Sequence, residues 1–461
     1  MSKNRLLLIT LIFFTVAAVL TVMQNYGAIS LSPAILSGLR WLGLGLLFFY
    51  GTRKKSLTTW ILVSMVIGAE IGYSFPEFAQ NLNVLSKIFL RLIKTIIAPL
   101  IFATLVVGIA GHSNLKQVGS MGLKAIIYFE IVTTIALFIG LVAINLSQAG
   151  AGIVLKGSDT GEITAPPKQT VSDVILHIFP ENIAKSVAEG QVLQIVVFSI
   201  LFGIGLAMLA ENRRRPLLEV TESLAETMFK FTNIIMLFAP IAVGAAIAYT
   251  VGHMGFGILI NLFKLLATLY VALIAFILLV LLPAALIFRI PVIRFAKAIA
   301  EPVSIAFATT SSEAALPRAM EAMESIGVPR KIVAFVMPLG YSFNLDGSTL
   351  YLSLASIFVA QAAGINMPWE QQILMVFTLM LTSKGIAGVP RASLVILLGT
   401  AASFNLPVEP IFIILGIDEL MDMARTAVNV VGNCLASAIV ARWEGEFQDQ
   451  PTPAALHIEE I

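Results

Sequence analysis

The chain has 461 residues, 58% of them hydrophobic and 12% charged, with a formal net charge of +2. Soluble domains carry about 25% charged residues, so this composition, with a mean hydropathy of +0.93, excludes a soluble multidomain protein and marks a polytopic membrane protein. The balanced charge excludes a nucleic-acid partner drawn by a basic field, and a single cysteine, Cys434, excludes an intrachain disulfide framework.

In chain order, Lys3 and Arg5 precede an apolar run from Leu6 to Met23, read as a retained span because no small-residue cleavage site follows it. A second run, Pro33–Tyr50, carries one charge, Arg40. Further apolar runs cover Thr58–Tyr73, Ile88–Ala110, Leu123–Leu146, Leu193–Leu209, Met228–Tyr249 and Ile258–Phe288. Beyond Phe288, serine, threonine, glycine and proline interrupt the apolar stretches, as in broken helices and re-entrant segments. Lys and Arg clusters at 53–55, 213–215, 289–297 and 330–331 alternate with bare loops at 24–32, 74–83 and 253–256. The positive-inside rule then places the amino terminus in the cytoplasm. It requires Glu301–Ser325 to enter and leave from the cytoplasmic side, and Trp369–Phe404 from outside. Gln148–Ala188 is a long polar external loop, and 444–461 a polar cytoplasmic tail.

Ionisable groups at bilayer depth cost about 2.5–3.5 kcal/mol each on insertion scales, so they locate function. In the last apolar segment, Asp422, Arg425, Thr426, Asn429 and Asn433 are spaced i, i+3, i+4, i+7, i+11 and share one helix face. Arginine suits bidentate recognition of a carboxylate and aspartate suits an ammonium. Together they fit an acidic amino acid; an internal Asp–Arg pair holding helices together is the alternative. Asn344-Leu-Asp346-Gly347-Ser348 lies inside an apolar region and predicts an unwound helix, whose carbonyls and carboxylate suit a cation. Thr309-Thr-Ser-Ser312-Glu313 and Ser383-Lys-Gly-Ile-Ala-Gly388-Val389-Pro390-Arg391 predict two non-helical hairpin tips, with ordinary loops as the alternative. Glu130, beside Thr133 and Thr134, reads as a lone membrane carboxylate suited to carry a proton, or else as a residue facing headgroups.

These separated motifs, with Phe89–Phe102 and Asn182–Gly205, resemble the glutamate transporter family, also called dicarboxylate/amino acid:cation symporters. The resemblance covers roughly 57–443. It implies an all-α elevator fold with eight core transmembrane helices and two re-entrant hairpins, about 298–327 and 369–404, assembled as a homotrimer in a bacterial inner membrane. Residues 1–56 hold two extra transmembrane segments. By this likeness Arg425 receives the side-chain carboxylate of L-glutamate or L-aspartate and Asp422 its α-ammonium. Thr426, Asn429, Ser312, Ser348 and Val389 complete the substrate contacts. No enzyme activity and no cofactor beyond a coupling ion is implied.

Departures from the family pattern bear on the ion. Sodium-coupled members carry Asp where this chain has Asn433, and polar residues where it has Phe129 and Val132. Asn344, Asp346, Asn429 and Asn433 are left as weak or absent sodium ligands, because sodium needs anionic oxygen to offset its dehydration. Glu313 and Glu130, with Asp346, become the proton-carrier candidates, and proton coupling is expected. The family's further arginine is missing at Thr310 and Met423; Arg391 is the candidate replacement. Sodium-coupled uptake of the same amino acids and proton-coupled C4-dicarboxylate uptake are the alternatives.

Overall fold

A computed structural model of the chain describes residues 32–111, 115–153, 179–189, 191–255, 257–385 and 392–448, with scattered helical positions between 9 and 23. Most of the expected first span, most of the long polar loop, the second hairpin tip with Val389 and Arg391, and the end of the tail lie outside the described residues. Among the described residues every regular element is helical. In chain order they are α1 (Pro33–Lys54), α2 (Leu57–Ser74), α3 (Pro76–Asn81), α4 (Asn83–Ala110), α5 (Leu115–Ser147), α6 (Ile183–Glu189), α7 (Val192–Ala207), α8 (Glu211–Met236), α9 (Ala239–Met254) and α10 (Ile258–Phe276). There follow α11 (Leu282–Ile287), α12 (Val292–Thr309), α13 (Ser312–Ser325), α14 (Arg330–Phe343), α15 (Asp346–Ala362), α16 (Trp369–Thr382), α17 (Ala392–Ser403), α18 (Glu409–Leu415) and α19 (Asp418–Trp443).

Among the described residues, six helical stretches are long and apolar enough to cross a membrane, or up to seven if α8 and α9 form one span. Two apolar runs depart from expectation. Met228–Tyr249 is divided between α8 and α9, because Pro240 enters the first turn of α9 and proline cannot continue a ladder through its missing N–H. The run from Leu193 yields a shorter apolar helix, Gln194–Ala207.

The chain divides into two compact units, Met1–Phe89 with Met236–Gly257, and Leu90–Ile235 with Ile258–Ile461. In the first, Ser32 and Ser56 cap the starts of α1 and α2 by accepting from Ala34 N and Thr59 N, each at 3.2 Å. Arg40, the one charge of its run, donates from Nε to both carboxylate oxygens of Glu70 on α2, at 3.0 and 2.9 Å. Ser74 Oγ donates to the same carboxylate at 2.7 Å. The pair satisfies two charges that neither helix can hold alone in an apolar medium. Glycines let α2 and α9 touch backbone to backbone: a Cβ at Gly68 would strike the Gly244 carbonyl, and one at Gly72 would lie 2.5 Å from the Ala248 carbonyl oxygen. Small residues at such a contact are how helices approach in lipid, where water drives no association.

In the second unit the carboxyl-terminal half supplies the broken elements. α12 and α13 are antiparallel neighbours joined at Thr310, which takes a left-handed conformation (φ 52°). Ser311 caps α13 by accepting from Ala314 N at 3.2 Å. α14 ends at Phe343 and α15 starts at Asp346, so the helix is interrupted at Asn344–Leu345 as the Asn-x-Asp-Gly sequence predicts. α15 is buried along almost its whole length and all round its circumference, the condition of a core helix with no solvent or lipid face. Gly140 of α5 meets it closely, opposite the Leu350 carbonyl and Ser353. A π-helical segment, Ile277–Leu281, links α10 to α11 just before Pro283.

Candidate functional site

α19 is 26 residues long and is buried on nearly every face. Of the side chains expected on its polar face, Asp422, Arg425, Thr426, Asn429 and Asn433 are all buried. Arg425 is fully buried, at 0% exposure. A guanidinium there must have its donors satisfied, and it does. Its Nε donates to Asp422 Oδ1 at 2.8 Å. Its Nη1 and Nη2 donate to the two oxygens of Asp418, at 2.9 and 3.4 Å. The Tyr351 ring of α15 lies under the guanidinium, 4.1 Å from centroid to Cζ, and the Tyr351 hydroxyl reaches Asp418 Oδ1 at 3.3 Å. Thr426 Oγ1 donates to Asp422 Oδ1 at 3.3 Å.

Asp418 was not among the residues singled out from the sequence. Its signal was present: positions 418, 422, 425 and 429 follow i, i+4, i+7, i+11, so Asp418 extends the same face by one turn. The internal ion pair, set above as the alternative to a carboxylate receptor, is present. Among the described residues both carboxylates on the Arg425 guanidinium come from α19 itself, so the cluster braces one helix. A carboxylate entering this site competes with Asp418 and Asp422 for the guanidinium fork.

Asn429 and Asn433 complete the helix interruption rather than lining it. Asn429 Oδ1 accepts from Gly347 N at 2.8 Å and Ser348 N at 3.2 Å. It thereby caps the amino terminus of α15 from another helix, the task an N-cap side chain performs locally. Its Nδ2 donates to Ser348 Oγ at 3.0 Å. Asn433 Nδ2 donates to the Asn344 carbonyl at 3.2 Å and the Asn429 carbonyl at 3.0 Å. Two carbonyls on one nitrogen fix the orientation of that amide, since the flipped oxygen would face both lone pairs. Asn344 Nδ2 donates to Asp346 Oδ2 at 3.3 Å. Among the described residues, Asn344 Oδ1, Asp346 Oδ1 and Asn433 Oδ1 are buried with no hydrogen-bond partner. Three glycines make room for this knot. A Cβ on Gly340 would strike Asn433 Oδ1, one on Gly432 would strike Asp346 Oδ2, and one on Gly347 would strike the Arg425 carbonyl.

Of the other candidates, Ser312 is buried in the first turn of α13, and Glu313 beside it is exposed. Glu130 departs from its reading as a lone carboxylate. Its Oε2 lies 3.0 Å from Lys384 Nζ, in the 3-10 turn Ser383–Gly385 that follows α16. Lys384 carried no role in the sequence reading. A partner 254 positions away leaves no trace in local spacing.

Charged and amide side chains gathered in a dry core, at an interruption between two half-helices, form an arrangement that secondary transporters use for substrate and coupling ions. The model of the "Sodium:dicarboxylate symporter family" matches residues 57–443. The chain is 44% identical over 408 residues to the "Proton/sodium-glutamate symport protein" of Geobacillus stearothermophilus, covering 86% of this chain and 97% of that one. It is 44% identical over 411 residues to the "Proton/glutamate-aspartate symporter" of Escherichia coli (strain K12), covering 86% and 94%. It is 39% identical over 410 residues to the "C4-dicarboxylate transport protein" of Laribacter hongkongensis, covering 87% and 93%. The chain belongs to the sodium:dicarboxylate symporter family and is a membrane transporter.

Proposed function

We propose that this protein is a proton-driven symporter that imports L-glutamate and L-aspartate across a bacterial inner membrane. The observation that carries the substrate class is Arg425 with Asp418 and Asp422, a buried cation flanked by two carboxylates. In this reading the guanidinium takes the substrate's side-chain carboxylate and Asp422, released from it, takes the α-ammonium. Ser312, Ser348, Thr426, Asn429 and Val389 supply the remaining contacts, and Arg391 a further charge. The names of the relatives agree, with glutamate or aspartate in those at 41–44% identity.

The coupling ion follows from Asn433. Its amide nitrogen already donates to the Asn344 and Asn429 carbonyls. Those two oxygens are what a sodium ion would need, and a neutral amide brings no charge to offset dehydration. A sodium site built from Asn344, Asp346, Asn429 and Asn433 is therefore weak, and Glu313, Glu130 and Asp346 are the groups through which protons couple. The protein works as a homotrimer by an elevator motion. Its core, 57–443, has eight transmembrane helices and two re-entrant hairpins: α12 with α13, and α16 with α17. Residues 1–56 add two segments, and 444–461 form a cytoplasmic tail.

The test is glutamate and aspartate uptake into proteoliposomes under separately imposed proton and sodium gradients. Uptake driven by an inward proton gradient without sodium is the expected result; strict sodium dependence overturns the coupling reading. Relatives named for C4-dicarboxylates sustain a second reading. Succinate competing as well as glutamate, in wild type and in Asp422→Asn alike, favours that one.

A further inference from the structure

The Lys384 side chain is 11% exposed, in the 3-10 turn that follows α16. Three oxygens of three kinds converge on its Nζ. They are the Glu130 carboxylate at 3.0 Å, the Thr133 hydroxyl at 2.9 Å and the Phe343 carbonyl at 3.3 Å. An ammonium has three N–H donors, and each has one partner. Thr133 Oγ1 gives its own proton to the Phe129 carbonyl at 2.6 Å, so it faces Lys384 as an acceptor. Phe343 is the last residue of α14, and its carbonyl belongs to the unsatisfied, negative end of that helix. The Asp346 carboxylate lies within electrostatic reach of the ammonium. Carboxylate, hydroxyl and helix-end carbonyl together are the oxygen set that holds a hard monovalent cation.

We propose that Lys384 is a tethered cation: its ammonium occupies a monovalent-cation site formed by Glu130, Thr133 and the Phe343 carbonyl, so that the chain supplies covalently what would otherwise be a bound alkali ion. The site rests on the geometry alone; its bearing on coupling rests on the transport reading above. The tether explains why the Asn344–Asp346 interruption holds together with a carboxylate in its core and an amide at Asn433. The positive charge that the interruption needs is carried on α16's extension.

Removing the ammonium while keeping the oxygens exposes the site to free ions. Lys384→Met deletes the charge at similar length, Lys384→Gln deletes it but keeps a donor for Thr133 or Phe343, and Lys384→Arg keeps the charge. Each variant and the wild type is purified in detergent without substrate and melted in choline, sodium, potassium or lithium chloride. The Met and Gln variants are expected to gain a melting shift of about 2–5 °C from one alkali ion at roughly 100 mM over choline, beyond any shift of the wild type. The Arg variant is expected to behave as wild type. Glu130→Gln in the Lys384→Gln background should abolish the gained shift, because the site loses its anion. Equal cation response in wild type and in both charge-deleted variants overturns the proposal. So does a gained shift that survives Glu130→Gln. Because the readout uses no substrate and no gradient, it stands or falls separately from proton-driven uptake.

Discussion

Asp418 stands seven residues before Arg425 on the same helix and accepts from two of its guanidinium nitrogens, at 2.9 and 3.4 Å, with both side chains wholly buried. A substrate carboxylate taken by Arg425, as proposed above, has to displace this pair. Asp418→Asn removes the stronger competitor for the fork while keeping its shape. Glutamate is expected to bind about three- to tenfold more tightly, equivalent to about 0.7–1.4 kcal/mol. Calorimetric titration of the purified protein measures it, and an unchanged or weakened affinity contradicts the competition argument.

Arg425→Ala takes the guanidinium away from two buried carboxylates. Breaking a buried pair costs about 3–5 kcal/mol, and uptake should fall at least about 30-fold on the loss of one charge partner. Adding Asp418→Asn should restore much of the melting temperature and none of the uptake. Persisting glutamate affinity in folded Arg425→Ala would remove this residue from the substrate site.

Asn433→Asp exchanges a donor for an acceptor opposite the Asn344 and Asn429 carbonyls. Three oxygens then face one another and repel unless a cation enters. The variant should melt lower than wild type in choline and regain stability in sodium, with uptake becoming sodium-stimulated. Sodium-indifferent melting and uptake in the variant would show that this amide does not govern ion choice.

Gly340→Ala and Gly432→Ala place a methyl against Asn433 Oδ1 and Asp346 Oδ2 respectively. Neither oxygen sits on a side chain that can swing away, because each is fixed by its other bonds. Overpacking of this kind costs about 1–3 kcal/mol. Lower denaturation midpoints for both, against no loss for Gly45→Ala, which lies in α1 with nothing within 4 Å and should gain from alanine's helix preference, would bear it out.

The end of α19 carries a pH-dependent tie outside the spans. A hydrogen bond from Lys124, and next one from Ser120 with the Lys124 charge, holds the Glu444 carboxyl below its ordinary range. A depressed folded value means the stabilisation is present above the unfolded glutamate pKa and is lost as pH falls through the folded value. Melting temperature measured while acidifying should drop more in wild type than in Glu444→Gln. Parallel curves would mean that the Lys124–Glu444 contact at 2.8 Å contributes nothing.

Much of the site was legible because it obeys local rules. The face of Asp422, Arg425, Thr426, Asn429 and Asn433 follows from helical spacing, and the interruption at Asn344–Asp346 from turn chemistry within an apolar run. Asp418 obeys the same spacing one turn earlier. Lys384 obeyed no local rule. Its partners, Glu130, Thr133 and the Phe343 carbonyl, lie on α5 and at the end of α14.

Composition and the order of apolar runs determined by themselves that this is a membrane protein, because lipid solvates an apolar excess that water cannot, and the turn-forming residues beyond Phe288 marked where its helices are interrupted. Which charges neutralise one another was decided by the tertiary structure. An ion pair in a dry core depends on distances of about 3 Å between groups far apart in the chain, and the pairing energy falls away once water or a different partner intervenes. That is why Arg425 could be read as buried from its position, whereas the capping of α15 by Asn429 and the hold of Glu130 on Lys384 came from the fold alone.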